Sequence, residues 1–147
     1  MVAQPTVDLR DVRPEDHEHL RPIQNAAIDE PSPQLLRAAV DGLGIGLVAV
    51  IDRPVGYVFA LVGETAAYVP EIAVDPAHQR RGIGTALLDG VAERTAKAGA
   101  SALRVTVRVD DERAQAFYRT HGFREHERLP EYYGTEPAAG MVLSRPL

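Results

Sequence analysis

Apolar residues recur along the chain with two different spacings, one typical of strands and one typical of helices, and together these outline the secondary structure. Apolar runs and strict alternation, each bounded by turn residues, predict strands over 7–10, 45–51, 55–62, 66–74, 103–109, 123–129 and 140–143. Pro70 lies inside one of these strands. Because proline cannot donate a ladder hydrogen bond, it is expected at an edge, at a bulge or where two strands part.

Helical spacing of apolar residues, with capping signals at the ends, predicts four helices between these strands. The first begins near Pro14, and Pro22 is expected to kink or split it. Ser32 caps a second helix that ends before Gly42, a third covers 82–98, and Asp110 or Asp111 caps a fourth that ends at Thr120. The order of elements predicts one α+β domain over 1–147.

Composition excludes several classes of protein. The 147 residues include no cysteine, which excludes a disulfide scaffold, thiolate metal sites and a cysteine nucleophile. A net charge of −5 and the lack of a basic tract argue against nucleic-acid binding. No apolar run is long enough to cross a bilayer, so a cytoplasmic protein without a membrane partner is expected. No histidine pair has metal-ligand spacing with a carboxylate, and no metal is expected.

The segment 74–84, Val-Asp-Pro-Ala-His-Gln-Arg-Arg-Gly-Ile-Gly, lies where a strand ends and a helix begins. Its glycines leave backbone N–H groups accessible, and the helix N-terminus adds partial positive charge, so the turn suits an anion. A dinucleotide-binding fingerprint would need a small residue in place of Leu87, and a P-loop would need Gly-Lys-Ser/Thr. Taken alone, the segment is equally compatible with an ordinary glycine-rich turn.

A second block, Ala114-x-x-Phe117-Tyr118-x-x-x-Gly122-Phe123, follows downstream. Together the two blocks resemble the signature of the GNAT superfamily of N-acetyltransferases. The resemblance implies the GNAT fold, a mixed and mostly antiparallel sheet with splayed central strands and about four helices. It also implies acetyl-CoA as the acyl donor, transferred to an amine by direct attack in a ternary complex.

The resemblance also implies roles for individual residues. Those implied to bind acetyl-CoA are Ile72, Ala73, Val74, Gln79, Arg80, Arg81, Gly82, Ile83, Gly84 and Thr85. Tyr118 matches the general acid of the family; the alternative is core packing, which is common for a tyrosine on a short amphipathic helix, and the family block favours the catalytic role. Glu71 is the carboxylate inside the strand beside the thioester and is the candidate base, the alternative being a solvated glutamate on an edge strand. A backbone N–H near Ala73 or Val74 would stabilise the oxyanion.

The segment after Leu129 is similar to the closing segment of N-terminal protein acetyltransferases, including those that act on ribosomal proteins. The similarity implies that Tyr132 and Tyr133 contact a peptide acceptor. Those enzymes commonly carry a glutamate where this chain has Thr106, so acetylation of a small-molecule amine stays open as an alternative.

The acceptor mouth is expected to be acidic, through Asp29, Glu30, Glu131 and Glu136, and therefore to attract a cationic amine. A non-catalytic module that binds acyl-CoA is the alternative from another class. Either a monomer or a homodimer is compatible with the sequence.

Overall fold

The computed structural model describes residues 7–130, Tyr132 and 139–147, which form one sheet with helices on both faces. The strands are β1 (Asp8–Asp11), β2 (Ile45–Ile51), β3 (Arg53–Val62), β4 (Ala66–Val74), β5 (Ala102–Arg108), β6 (Arg124–Leu129) and β7 (Gly140–Pro146). The α-helices are α1 (His17–Ala27), α2 (Pro33–Val40), α3 (Ile83–Lys97) and α4 (Glu112–Thr120). Short 3₁₀ turns at Pro14–Asp16 and Pro76–His78 precede α1 and α3.

The strand order is β1-β2-β3-β4-β5-β7-β6. β4 and β5 are parallel and are joined by α3, whereas the other adjacent pairs of described strands are antiparallel. This arrangement confirms the prediction of an α+β fold with a mostly antiparallel sheet and one helical crossover. None of the helices in the described part of the chain combines the length and the apolar character needed to span a bilayer.

Two apolar clusters hold the helices against opposite faces of the sheet. The larger cluster joins α3 and α4 to one face, with Leu87, Leu88 and Phe123 at 0% exposure. The smaller cluster joins α1 and α2 to the other face through Leu20 and Leu36, both fully buried. The sheet is therefore covered on both sides around β3 and β4, and the candidate site is built there.

The predicted helix caps form. Ser32 Oγ accepts the Leu35 N–H at 3.2 Å, and Asp111 Oδ1 accepts the Ala114 N–H at 3.0 Å. Of the two outcomes expected for Pro22, a kink or a split of the first helix, the split is wrong, since α1 continues through it. A proline there removes a single internal hydrogen bond, while Leu20 and Ile23 remain buried and hold the helix on the sheet.

Pro70 lies where β4 leaves its neighbours, as expected. The register of β3 with β4 shifts between Phe59 and Leu61, opposite Pro70. Pairing of β4 with β5 ends at Val69 and Val105. A bulge changes which face of the sheet the following side chains occupy. Val69 therefore packs in the larger apolar cluster, on the face that carries α3, whereas Glu71, two residues later, contacts α1 on the other face. Beyond Pro70, β4 and β5 splay apart and a gap opens between them.

Candidate functional site

The gap between β4 and β5 opens into two cavities that share part of their walls. The α3 cleft, about 720 Å³, lies between β4, the N-terminus of α3 and the start of α4. The β4–β5 cavity, about 780 Å³, lies between the splayed strands and residues 27–30 at the C-terminal end of α1. The residues that line both cavities are Ala27, Ile72, Asp111, Ala114 and Tyr118. A molecule bound in one cavity can therefore reach a molecule bound in the other at this shared wall.

The α3 cleft is built around an open helix N-terminus. Gly82 precedes α3 with φ +80°, supplies no side-chain cap, and the first turn of α3 carries no acidic residue. A Cβ placed on Gly82 would meet no atom within 4 Å. The first N–H groups of a helix lack intrahelical partners, so this terminus can accept an anion from the cleft. The N-terminus of α4 differs, because its own Asp111 side chain occupies it.

Most residues that the sequence implies for cofactor binding do line the α3 cleft. They are Ile72, Ala73, Val74, Gln79, Arg80, Gly82, Ile83, Gly84 and Thr85, and Arg81 is not among the lining residues. Ile83 is 1% exposed, so its backbone alone can serve a ligand. Sequence reasoning missed Arg113, which lines the cleft from the first turn of α4. A basic residue just after a helix cap was the available signal, but nothing local indicates that α4 begins opposite α3.

The backbone of β4 shows which groups face the gap. The Asp75 N–H donates to the Val55 carbonyl of β3 at 2.8 Å. Backbone groups alternate in direction along a strand, so the N–H of Ala73 also points to β3, whereas those of Ile72 and Val74 point into the gap. Gln79 Nε2 donates to the Val74 carbonyl at 3.2 Å, which agrees with this direction. Of the two candidate oxyanion donors, the Val74 N–H is therefore the one that faces the gap.

Tyr118 is both a core residue and a wall of the two cavities. Its side chain is 8% exposed, and its ring meets Phe117 and Phe123 edge-on at centroid distances of 5.2 and 5.3 Å. Burial, aided by the negative charge of Asp111, raises the pKa of Tyr118 to about 12. The phenol is thus protonated throughout the neutral range, as a proton donor must be.

Glu71 is buried beneath the β4–β5 cavity rather than solvated. It is 8% exposed, and its Oε2 accepts the Tyr57 hydroxyl at 2.8 Å and Gln24 Nε2 at 3.0 Å. Burial raises the pKa of Glu71 although these hydrogen bonds and the charge of Arg21 oppose the rise. The alternative of a solvated edge glutamate is wrong, because β4 is central and the bulge at Pro70 turns this side chain inward.

Acidic side chains dominate the β4–β5 cavity. Asp29 and Glu30 line it as expected, Asp110 and Asp111 add to them, and Arg108 faces Glu30 at 4.0 Å. Thr106 also lines the cavity, opposite Glu71 across the gap. No group of three histidine, aspartate or glutamate side chains suited to a metal ion occurs among the described residues.

The predicted peptide-binding tyrosines are placed only in part. Tyr132 is 55% exposed and packs beside Gly140, where an added Cβ would lie 3.2 Å from Tyr132 Cβ. It is not among the described residues that line the β4–β5 cavity. Tyr133, Glu131 and Glu136 lie outside the described residues.

Comparison with known proteins assigns the family. A model of the acetyltransferase (GNAT) family matches residues 6–123. The chain is 41% identical over 76 residues to the ribosomal protein bS18-alanine N-acetyltransferase of Escherichia coli, a match that covers 49% of this chain and 51% of the relative. It is 31% identical over 116 residues to the aminoglycoside N(6′)-acetyltransferase type 1 of Stenotrophomonas maltophilia, covering 79% of this chain and 75% of that protein.

Solved structures share the fold. NAA60 of Arabidopsis thaliana in complex with acetyl-CoA superposes with a TM-score of 0.85 at 19% identity, over 97% of this chain and 99% of that chain.

The chain spans about half the length of the Escherichia coli relative, 51%. The chain belongs to the GNAT acetyltransferase family.

Proposed function

We propose that this member of the GNAT family is an acetyl-CoA-dependent N-acetyltransferase that acts on a primary amine. The observation that carries the proposal is that two cavities share a wall that includes Tyr118 and Ile72, one cavity being formed around an open helix N-terminus and the other being acidic. A donor with phosphate groups suits the first cavity and a cationic amine suits the second. Their reacting ends would meet in the gap between β4 and β5.

The lining of the α3 cleft fits the shape and charge of acetyl-CoA. The open space beside Gly82 admits a pyrophosphate against the first turn of α3, and Arg80 and Arg113 add positive charge on either side. The backbone groups of Ile72 that face the gap suit the amide-bearing pantetheine arm, which can pair with them as a strand would. Acetyl-CoA, when bound, supplies the thioester whose carbonyl carbon the amine attacks.

The two candidate catalytic side chains have protonation states that suit opposite tasks. Tyr118 holds its proton at neutral pH and lies where the two cavities meet, which suits delivery of that proton to the departing thiolate. Glu71 faces the acceptor side, and its raised pKa makes it a stronger base once ionised. The Val74 N–H is the candidate donor to the thioester oxygen.

Two acceptor classes suit the β4–β5 cavity. An α-amine at a protein or peptide N-terminus is the first, supported by the likeness to the bS18-alanine acetyltransferase. A polycationic small molecule is the second, and it is favoured by the acidic lining at Asp29, Glu30, Asp110 and Asp111 together with the likeness to the aminoglycoside acetyltransferase.

One assay tests the activity and separates these classes. The purified protein is incubated with acetyl-CoA and a panel of peptides with free N-termini, aminoglycosides and polyamines, with thiol release and product masses as readouts. Thiol release with an acetylated amine product supports the proposal, and the acceptor class is read from the product. Tight acetyl-CoA binding without thiol release on any acceptor contradicts it and favours a non-catalytic acyl-CoA-binding module.

A further inference from the structure

Two fully buried polar side chains beneath the β4–β5 cavity have no task in the chemistry described above. Gln24 of α1 and Tyr57 of β3 are both 0% exposed, and both contact Glu71. Polar groups are costly to bury unless they are hydrogen-bonded, so their partners show what the arrangement achieves.

The hydrogen bonds of Gln24 determine which way its amide points. Its Nε2 lies 2.9 Å from the Ser32 carbonyl, which can only accept, and its Oε1 lies 3.0 Å from Arg21 Nη1, which can only donate. The remaining Nε2 proton therefore points to Glu71 Oε2, at 3.0 Å. The amide cannot flip without setting donor against donor and acceptor against acceptor.

Glu71 Oε2 is consequently engaged by two donors, Gln24 and the Tyr57 hydroxyl. The other oxygen, Oε1, has no hydrogen-bond partner within the part of the chain that the structure describes, and Glu71 lines the β4–β5 cavity. The two oxygens of one carboxylate thus have different surroundings, one held by the protein and one left for a ligand.

We propose that Gln24 and Tyr57 are positioning residues that dedicate Glu71 Oε2 to the protein and leave Oε1 as the atom that receives the proton of the acceptor amine. In that step the N–H bond breaks, an O–H bond forms at Oε1, and the electron pair stays on nitrogen. Gln24 has a second task, because its contact with the Ser32 carbonyl ties the carboxylate to the 27–32 segment whose first residues wall the acceptor cavity. This inference rests on the proposed function.

Other charged or titratable groups lie near Glu71 or line the same cavity. Arg21 of α1 acts on Glu71 through its charge, and the cavity wall also carries Asp29 and Glu30 after α1, Arg108 of β5, Asp110 and Asp111 after β5, and Tyr118 of α4. Tyr57→Phe leaves these groups in place, whereas a change at Gln24 also removes the hydrogen-bond acceptor of Arg21 Nη1. A difference in pH dependence between Tyr57→Phe and the wild type therefore reports on the hydrogen bond that Tyr57 donates to Oε2.

Tyr57→Phe tests whether the Tyr57 hydroxyl positions Glu71, because it removes the hydroxyl and changes the shape of the side chain little. The variant removes one hydrogen bond that favours the ionised carboxylate, so the acid limb of the kcat/KM profile should move up by about one pH unit, with the acceptor KM at the plateau unchanged. Tyr68→Phe is the matched control, because Tyr68 lies on β4, is 45% exposed and hydrogen-bonds Arg104 instead. An acid limb that stays in place in Tyr57→Phe overturns the assignment of Tyr57.

Gln24→Met tests the second part, since methionine has a similar length and no amide. It should move the acid limb in the same direction and also raise the acceptor KM severalfold, because the 27–32 segment loses its tie to Glu71. Equal KM values in Gln24→Met and Tyr57→Phe overturn the second task of Gln24.

A measurement on the wild type keeps the assignment of Gln24 falsifiable if Gln24→Met does not fold. In NMR spectra, the side-chain amide protons of Gln24 should exchange slowly with solvent, and their chemical shifts should follow the protonation of Glu71 as the pH changes. This pH response should vanish in Glu71→Gln. An amide that does not respond overturns the assignment. Because this titration needs no turnover, it separates failure of the inference from failure of the proposed function, which would show as no acetylation of any acceptor.

Discussion

The α3 cleft and the β4–β5 cavity share a wall, but different kinds of chemical group give each its character. The α3 cleft presents main-chain groups, namely the open N-terminus of α3 behind Gly82 and the free edge of β4. The β4–β5 cavity presents side chains, several of them acidic, with the buried Glu71 beneath it. Main-chain N–H and C=O groups keep their partial charges at every pH, and they lose their positions only if the fold changes. A side chain, in contrast, can be removed by a single substitution, and its charge can change with pH.

This difference predicts how each region fails. A main-chain site is damaged by adding atoms where a ligand must approach, and a side-chain site by removing atoms or by changing pH. Tyr118 belongs to both regions, so its loss should have the largest effect on turnover.

Tyr118→Phe keeps the ring in its aromatic cluster and removes the hydroxyl. The value of kcat should fall about 100-fold or more, since general acids contribute at least that much, while the acetyl-CoA Kd changes little. Because the pKa of Tyr118 is raised to about 12, wild-type kcat should show no loss near pH 10 from ionisation of this phenol. Unchanged turnover in steady-state assays would leave Tyr118 as a core residue alone.

Gly82→Leu adds a side chain to the open space beside the α3 N-terminus. Acetyl-CoA affinity measured by calorimetry should fall at least about tenfold, because the new atoms occupy the space that a phosphate needs. Gly99→Leu is the matched control, since Gly99 has φ +99° at the other end of α3 and also faces open space. Both variants should lose about 1–2 kcal/mol of stability from backbone strain. A similar loss of affinity in the control would show that strain, and not occlusion, is responsible.

Neutralising the mouth of the β4–β5 cavity should have a moderate effect. The double variant Asp29→Asn, Glu30→Gln should raise the KM of a cationic acceptor severalfold at low salt, while the acetyl-CoA Kd stays the same. The increase in KM should become smaller at higher salt, because salt screens the charges. The control Asp41→Asn, Glu64→Gln changes net charge equally at exposed positions outside the cavity. Equal KM changes in both double variants would contradict a local role for Asp29 and Glu30.

The smallest expected effect is a gain in stability from Glu71→Gln. Burial raises the folded-state pKa of Glu71, so its ionised form costs stability at pH values above that pKa, and the cost disappears below the ordinary value of 4.5. A neutral amide should therefore stabilise the protein at pH 8 and change its stability little at pH 4, as thermal unfolding at the two pH values would show.

Asp16 provides the opposite sign for this stability test. Arg10 pairs with it at 2.7 Å and lowers its pKa despite burial, so its charge stabilises the fold at neutral pH and this contribution is lost as pH falls through the lowered pKa. Asp16→Asn should thus lower the melting temperature at pH 8. A Glu71→Gln variant that is less stable than the wild type at pH 8 would contradict the account of Glu71.

Local signals in the sequence predicted the cleft better than the cavity. Ser32, Asp111 and the glycine turn at Gly82 act on residues within one helical turn, and the structure has the elements where these signals predict them. β7 extends to Pro146, beyond its predicted end, because pairing with β5 continues there. The burial of Glu71 depends on a one-residue bulge and on contacts 47 and 14 residues away along the chain, at Gln24 and Tyr57.

The sequence by itself determined the order of elements, the open turn before α3, an interruption of regular strand pairing at Pro70 and the family. Each of these depends on backbone chemistry at the residue itself, on its immediate neighbours or on a contiguous motif. Only the tertiary structure decided that Glu71 turns inward, that Gln24 and Tyr57 engage one of its oxygens, and that Arg113 faces the α3 cleft. Such placements follow from the packing of α1 and α4 on the two faces of a splayed sheet, where distant segments meet and no local pattern records the contact.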